Sequence, residues 1–190
     1  MSSRVESESA FVLHTRPYRN TSLLVDFFTE KYGRITAVAR SARGIRSRYK
    51  NIFRPFSLLW INWSGRMELR YLNQVEMQRV IIPPLIGEIL YCGLYVNELL
   101  FKLLPREEAF PALFSNYLFL LKTLPNTPTP NEVVLRYFEK KLLQMIGYGL
   151  SLHKEANDIN LIEPNSFYKY IPKTGFIKTP KNKHVFSGES

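Results

Sequence analysis

TSLLVDFFTEKYGRITAVAR, residues 21–40, is the stretch that decides the fold. Thr21 to Thr29 is dense in apolar, β-branched and aromatic side chains, and Lys31-Tyr32-Gly33 punctuates it as a turn. Arg34 to Ala39 then alternates, with Ile35, Ala37 and Ala39 on one face and Thr36 and Val38 on the other. Alternation with period two marks a strand, so the stretch predicts two strands joined by a turn. Upstream, Ala10 to His14 is a short apolar run closed by Arg16-Pro17. Downstream, an irregular basic stretch (Arg40 to Arg54) ends at Pro55. Phe56 to Trp63 (FSLLWINW) then reads as a strand, Ser64-Gly65 as a turn, and Met67 to Leu72 as a further strand.

Five short strands with one long connection between the third and fourth predict a five-stranded closed β-barrel of OB type. Closure leaves few exposed edges, which makes it more economical than two packed sheets. After Pro83-Pro84 the periodicity becomes helical. Leu85 to Leu104 is apolar nearly all round, the pattern of a helix central to its domain. Its polar members Glu88, Asn97, Glu98 and Lys102 argue for a buried helix of a soluble protein over a membrane span. Glu107 to Thr123 and Glu132 to Ile146 carry apolar stripes at helical spacing, separated by a Pro-rich loop (LPNTPTPN), and Gly147 and Gly149 stop the last helix. Ser166 to Tyr170 and Thr174 to Lys178 predict a hairpin, and SGES at 187–190 reads as the start of a capped helix. The expected fold class is therefore α+β: an OB-type barrel over residues 1–80, then a helical domain over 81–190 whose C-terminal part is truncated.

The formal net charge is +10 and the pI about 9.7, which favours a polyanionic partner. The charge is unevenly placed. From Lys31 to Met67 there are nine basic residues and no acidic one. Arg34 and Arg40 bracket the predicted third strand, and Arg43, Arg46, Arg48, Lys50 and Arg54 follow it. Arginine's planar fork grips phosphate bidentately and stacks on rings, whereas lysine acts as a point charge. Nucleic acid lies across strands 2 and 3 of an OB barrel and the loops beside them, so these seven residues are the expected phosphate contacts. Tyr49, between two basic residues, is the expected base-stacking residue, while Phe53 and Phe56 are expected in the barrel core.

No catalytic constellation appears. His14, His153 and His184 are scattered, Cys92 is the single cysteine, and no phosphate-binding loop or nucleophile elbow occurs. Clustered carboxylates of the kind a nuclease uses to hold Mg²⁺ are absent from the sequence pattern. One cysteine allows no internal disulfide, which fits a reducing compartment, and MSSRVESESA has no hydrophobic signal core. The reading is a non-enzymatic binder of nucleic acid that needs no metal or cofactor. An RNA-binding OB protein is the alternative, and an enzyme with a cryptic site a third.

Three separated blocks then resemble one family: AFVLHTRPYRNTSLLVDFFTEKYGRITAVARSARGIRS (10–47), LYCGLYVNELL (90–100) and LRYFEKKLLQMIGYG (135–149). They are similar, in this order, to the RecO recombination mediators. The resemblance implies an OB domain followed by a helical one. It also implies binding of single- and double-stranded DNA, strand annealing, and help for a RecA-type recombinase in displacing single-strand DNA-binding protein, with RecR as a partner, in the cytoplasm at the nucleoid. The four-cysteine zinc module of some members is impossible here. The acidic C-terminal tail of single-strand DNA-binding protein would dock at the position matching Arg136, assisted by Lys140 one turn on. An Arg beside an apolar groove suits a terminal carboxylate, although pairing of Arg136 with Glu132 or Glu139 is the plainer reading of the residues alone.

Overall fold

A computed structural model describes residues 4–44, 47–49, 51–66, 69–127, 131–157 and 159–189, with the side chains of 66 and 69 left out. Five strands, β1 (Arg4–Tyr18), β2 (Ser22–Thr29), β3 (Gly33–Ala39), β4 (Leu58–Arg66) and β5 (Leu69–Met77), close into a barrel in the order β1-β2-β3-β5-β4. All neighbours are antiparallel except β3 and β5. Helices α1 (Glu88–Leu103), α2 (Pro111–Thr123) and α3 (Asn131–Met145) follow, then β6 (Phe167–Ile171), β7 (Gly175–Lys178) and β8 (Phe186–Ser187). The α+β class and OB-type barrel read from the sequence are present.

β1 is three times the length that its apolar run predicts. Its polar first half is held by the ladder to β4 (Arg4 to Phe11), and its second half by the ladder to β2 (Ala10 to Tyr18). Backbone pairing thus fixes residues whose side chains carry no burial signal. Pro17 is tolerated because the pairing with β4 has ended at Phe11, so no partner on that side needs its missing N–H.

Both faces of the strands are buried, which is why AFVL and DFF read as unbroken apolar runs. Val12, Phe27, Ile35, Ile61 and Trp63 fill the barrel. Phe11 and Phe28, the alternate positions, face outward onto α2: Phe11 lies 4.9 Å from the Phe114 ring and 4.7 Å from Tyr117. α1 is tied to β1 where the ladder shifts register between Val12 and His14. There the buried Asn97 donates to the carbonyls of Leu13 (3.1 Å) and Val12 (3.5 Å) and accepts from the Tyr117 hydroxyl.

α2 begins at Pro111, not at Glu107. Proline suits the first helical turn, where its lacking N–H has no intrahelical partner. Glu107 instead stands at φ 62, its N–H bonded to the Arg34 carbonyl and its carboxylate 2.9 Å from Arg70. Glu107 thus serves a crossing loop and no helix start.

Two compact units divide the chain, Met1–Glu139 and Lys140–Ser190. In the second, β6 pairs with β7 as the predicted hairpin, and β8 joins β6 from the other side. Residues 186–187 are therefore strand and not the start of a helix: the Gly188 N–H bonds to the Ser166 carbonyl, continuing the β6 edge. No helix among the described residues is long and apolar enough to cross a membrane.

Candidate nucleic-acid interface

The ladders bring three chain segments to one end of the barrel. Tyr18 faces Ser22 across the β1–β2 turn, Leu23 faces Ala39 at the end of β3, and Val38 faces Tyr71 near the start of β5. The basic connection leaves β3 from this rim. It turns through left-handed residues at Ser41 (φ 56) and Asn51 (φ 66) and drops Tyr49 and Phe53 into the barrel core, 5.4 Å apart. The apolar residues of the connection are its anchor, and they leave its arginines on the outside.

Three described arginines of the group, Arg40, Arg43 and Arg48, are held by something other than a carboxylate. Arg40 lies 4.2 Å above the Tyr71 ring, an attraction between cation and quadrupole. Arg43 donates through Nη2 to the carbonyls of Arg19 (2.9 Å) and Asn20 (2.6 Å), and its N–H binds the Thr21 carbonyl (2.8 Å). Arg48 lies over the Tyr49 ring at 4.8 Å and donates to the Tyr49 hydroxyl and the Asn73 carbonyl. Arg54 is exposed at the end of the connection. Among the described residues, Arg40, Arg43, Arg48 and Arg54 form no ion pair with a carboxylate. A guanidinium has five N–H donors, so these contacts orient the forks without consuming their charge.

Two expected members do not belong to the rim. Arg34 starts β3, at the barrel's other end, where its Nε donates 3.0 Å to the Leu104 carbonyl and its guanidinium lies 5.4 Å from the Phe101 ring. A cation at the end of α1 satisfies an orphan carbonyl and the helix dipole. Burial pushes the Arg34 pKa down, the neighbouring Arg106 adds to this, and Asp26 opposes it. Tyr49 is only 6% exposed, between Phe53 and the Arg48 guanidinium, and offers no open ring face. Packing wins because a large apolar ring in a short connection seals the barrel more effectively than it waits in solvent. Arg46 and Lys50 lie outside the described residues.

Arg19 and Tyr71 were not marked by the sequence reading. Arg19 sits at φ 50 in the β1–β2 turn, its carbonyl holding Arg43. Arg43 reaches back 24 residues for that bond, so no local pattern shows it. Away from the rim, Asp26 is buried; it accepts from Thr36, and its Oδ2 lies 3.6 Å from His14 Nδ1 and 4.0 Å from Arg16.

Arg136 is exposed on α3 and pairs with Glu139 at 2.6 Å, the plainer of the two readings, while Glu139 also accepts from the Tyr95 hydroxyl. Arg136 and Tyr95 each have their pKa raised by their own bond to the Glu139 carboxylate. Lys140, one turn on, is exposed.

Comparison with known proteins agrees with this architecture. The family model described as Recombination protein O N terminal matches residues 1–80, and the one described as Recombination protein O C terminal matches residues 87–185. The DNA repair protein RecO of Coxiella burnetii (strain RSA 493 / Nine Mile phase I) is 45% identical over 193 residues, covering 100% of this chain and 82% of its own length. Those of Dechloromonas aromatica (strain RCB) and Pasteurella multocida (strain Pm70) are each 44% identical, over 93% and 90% of this chain and 73% and 70% of theirs. A barrel, a helical region and a basic rim in one sequence of this descent place the chain in the RecO family of DNA repair proteins.

Proposed function

We propose that the chain binds single- and double-stranded DNA without regard to sequence, through phosphate contacts from Arg19, Arg40, Arg43, Arg48 and Arg54, with Arg46 and Lys50 in the same run. The observation that carries this reading is a rim of guanidinium groups aimed by carbonyls and rings, none of the four from the connection paired with a described carboxylate. Neutralising phosphates on two strands lowers their mutual repulsion and lets complementary strands meet. No bond is made or broken, and no cofactor takes part. On this reading the protein anneals strands in the cytoplasm and, with RecR, assists a RecA-type recombinase onto DNA coated by single-strand DNA-binding protein. Arg136, with Lys140 in support, receives the acidic tail of that protein by exchanging Glu139 for the incoming carboxylate. The family favours DNA over the RNA-binding alternative.

About five phosphate contacts give a slope of log affinity against log salt of roughly −4 to −5 on duplex DNA. Annealing of complementary oligonucleotides, with and without single-strand DNA-binding protein, across a salt series tests the whole reading. Replacing Arg43 and Arg48 together by Ala should weaken binding severalfold and flatten the slope by about two; an unchanged slope would remove the rim from the interface. Replacing Arg136 by Ala should spare DNA binding and weaken capture of the tail peptide.

A further inference from the structure

Beside the rim, the connection and β2 enclose a cavity of about 480 Å³. Its apolar part is formed by Leu23, Tyr49 and Phe53, and its polar part by Arg43, Asn51 and Arg54. Two of the arginines proposed to grip phosphate therefore line a partly apolar recess, an arrangement that a purely backbone-tracking surface does not require. Recesses of roughly 300–1,000 Å³ that combine an apolar wall with a few polar groups are the usual seats of small molecules and cofactors.

We propose that this cavity receives the base of one unpaired nucleotide, so that the rim holds single strands more tightly than duplex. The inference rests on the rim being a DNA surface and names which form of DNA it prefers. A base brings an apolar face and a polar edge. Leu23 and the accessible edges of Tyr49 and Phe53 line the side that would meet the face. The Asn51 side chain carries both a donor and an acceptor, and so serves any base edge, which keeps the seat indifferent to sequence. The Ser47 hydroxyl, also in the lining, accepts from the Tyr49 N–H at 3.1 Å and keeps its own proton to donate. Arg43 and Arg54 take the flanking phosphates. In a duplex every base is stacked and paired and none reaches the recess without being extruded at a cost of a few kcal/mol. Pairing of two strands on the rim therefore empties the seat, and the annealed product is held more weakly than its parts.

The test needs a variant that fills the recess and leaves every charge in place. Gly44 lines the cavity, its φ is ordinary, and a Cβ there would meet only the Ser41 carbonyl oxygen at 3.4 Å, so Gly44→Leu is compatible with the fold. Anisotropy titrations at one salt concentration would compare a labelled oligothymidylate, an oligomer of the same length made of abasic sites, and a duplex. The unaltered chain should bind the oligothymidylate about tenfold more tightly than the abasic strand. Gly44→Leu should close that gap and leave duplex affinity unchanged. A gap absent from the unaltered chain, or one that survives Gly44→Leu, overturns the proposal while leaving the rim intact, as does an equal loss on single strand and duplex. Failure of all three ligands to bind in a salt-dependent way overturns the rim and the base seat together.

Discussion

Gly33 holds φ +64 with the Glu108 carbonyl oxygen 1.8 Å from where a Cβ would stand. Any side chain there must displace the loop that crosses from α1 to α2 and also adopt a left-handed backbone. Gly33→Ala should therefore cost about 2–4 kcal/mol, read as a lower urea midpoint with an unchanged slope; a midpoint that stays put would show the loop to be free to move. Glu8 makes a second prediction. Burial raises its pKa even though the Lys31 N–H, 2.7 Å from Oε1, pulls it down. A carboxyl whose folded pKa is raised binds its proton more readily folded than unfolded, so its charge destabilises the protein above that pKa and not below the ordinary carboxylate value of 4.5. Glu8→Gln keeps the acceptor and removes the charge. It should raise Tm at pH 7, and the gain should vanish as the pH falls below the ordinary carboxylate range. A gain that persists in acid would assign the effect to packing. At this scale the sequence was legible where a residue's own class decides its placement, as with the exposure of Arg40, Arg43, Arg48 and Arg54. It was not legible where a partner far along the chain decides. Arg34 and Tyr49 lie in the basic run as Arg43 does, yet the α1 terminus claims one and the barrel core the other.

The contact of α1 and α2 with β1 runs through one polar side chain in an apolar layer. Asn97 is 3% exposed and joins two strand carbonyls to the Tyr117 hydroxyl. Asn97→Leu leaves that hydroxyl buried without this partner, takes a donor from the Leu13 carbonyl, and should cost about 2–4 kcal/mol. Adding Tyr117→Phe removes one orphan and should recover about 1 kcal/mol or more of it. Strictly additive losses in denaturant unfolding would show that the two groups do not act as a unit. Among the elements, strands with side-chain periodicity and helices with apolar stripes were legible before any coordinates. The polar half of β1 and the true start of α2 were not. A ladder partner fixes the first, and a loop–strand hydrogen bond pre-empts the second.

Over the whole molecule, a net charge of +10 is concentrated by topology and not by sequence order alone. The β1–β2 turn and the connection that begins at Arg40 come together because β2 pairs with both β1 and β3, and Arg43 binds one to the other. The run of basic residues marks the candidate rim; its outline, with Arg19 gained and Arg34 lost, needed the strand order. The closure of the barrel is uneven. Among the described residues, β3 meets β5 over two residue pairs, Ala37 with Arg70 and Val38 with Tyr71, where β2 and β3 share seven and β4 and β5 share eight. The cylinder thus has a latch, and local opening free energy should be lowest there. Native-state hydrogen exchange should find the latch amides released before those of Phe27 or Ile61. Because Arg40 lies across Tyr71 on this join, an engaged polyanion should slow them, whereas uniform protection around the cylinder would mean that it opens only by unfolding. On the proposed function, a polyanion held beside this short join would brace the barrel against opening there.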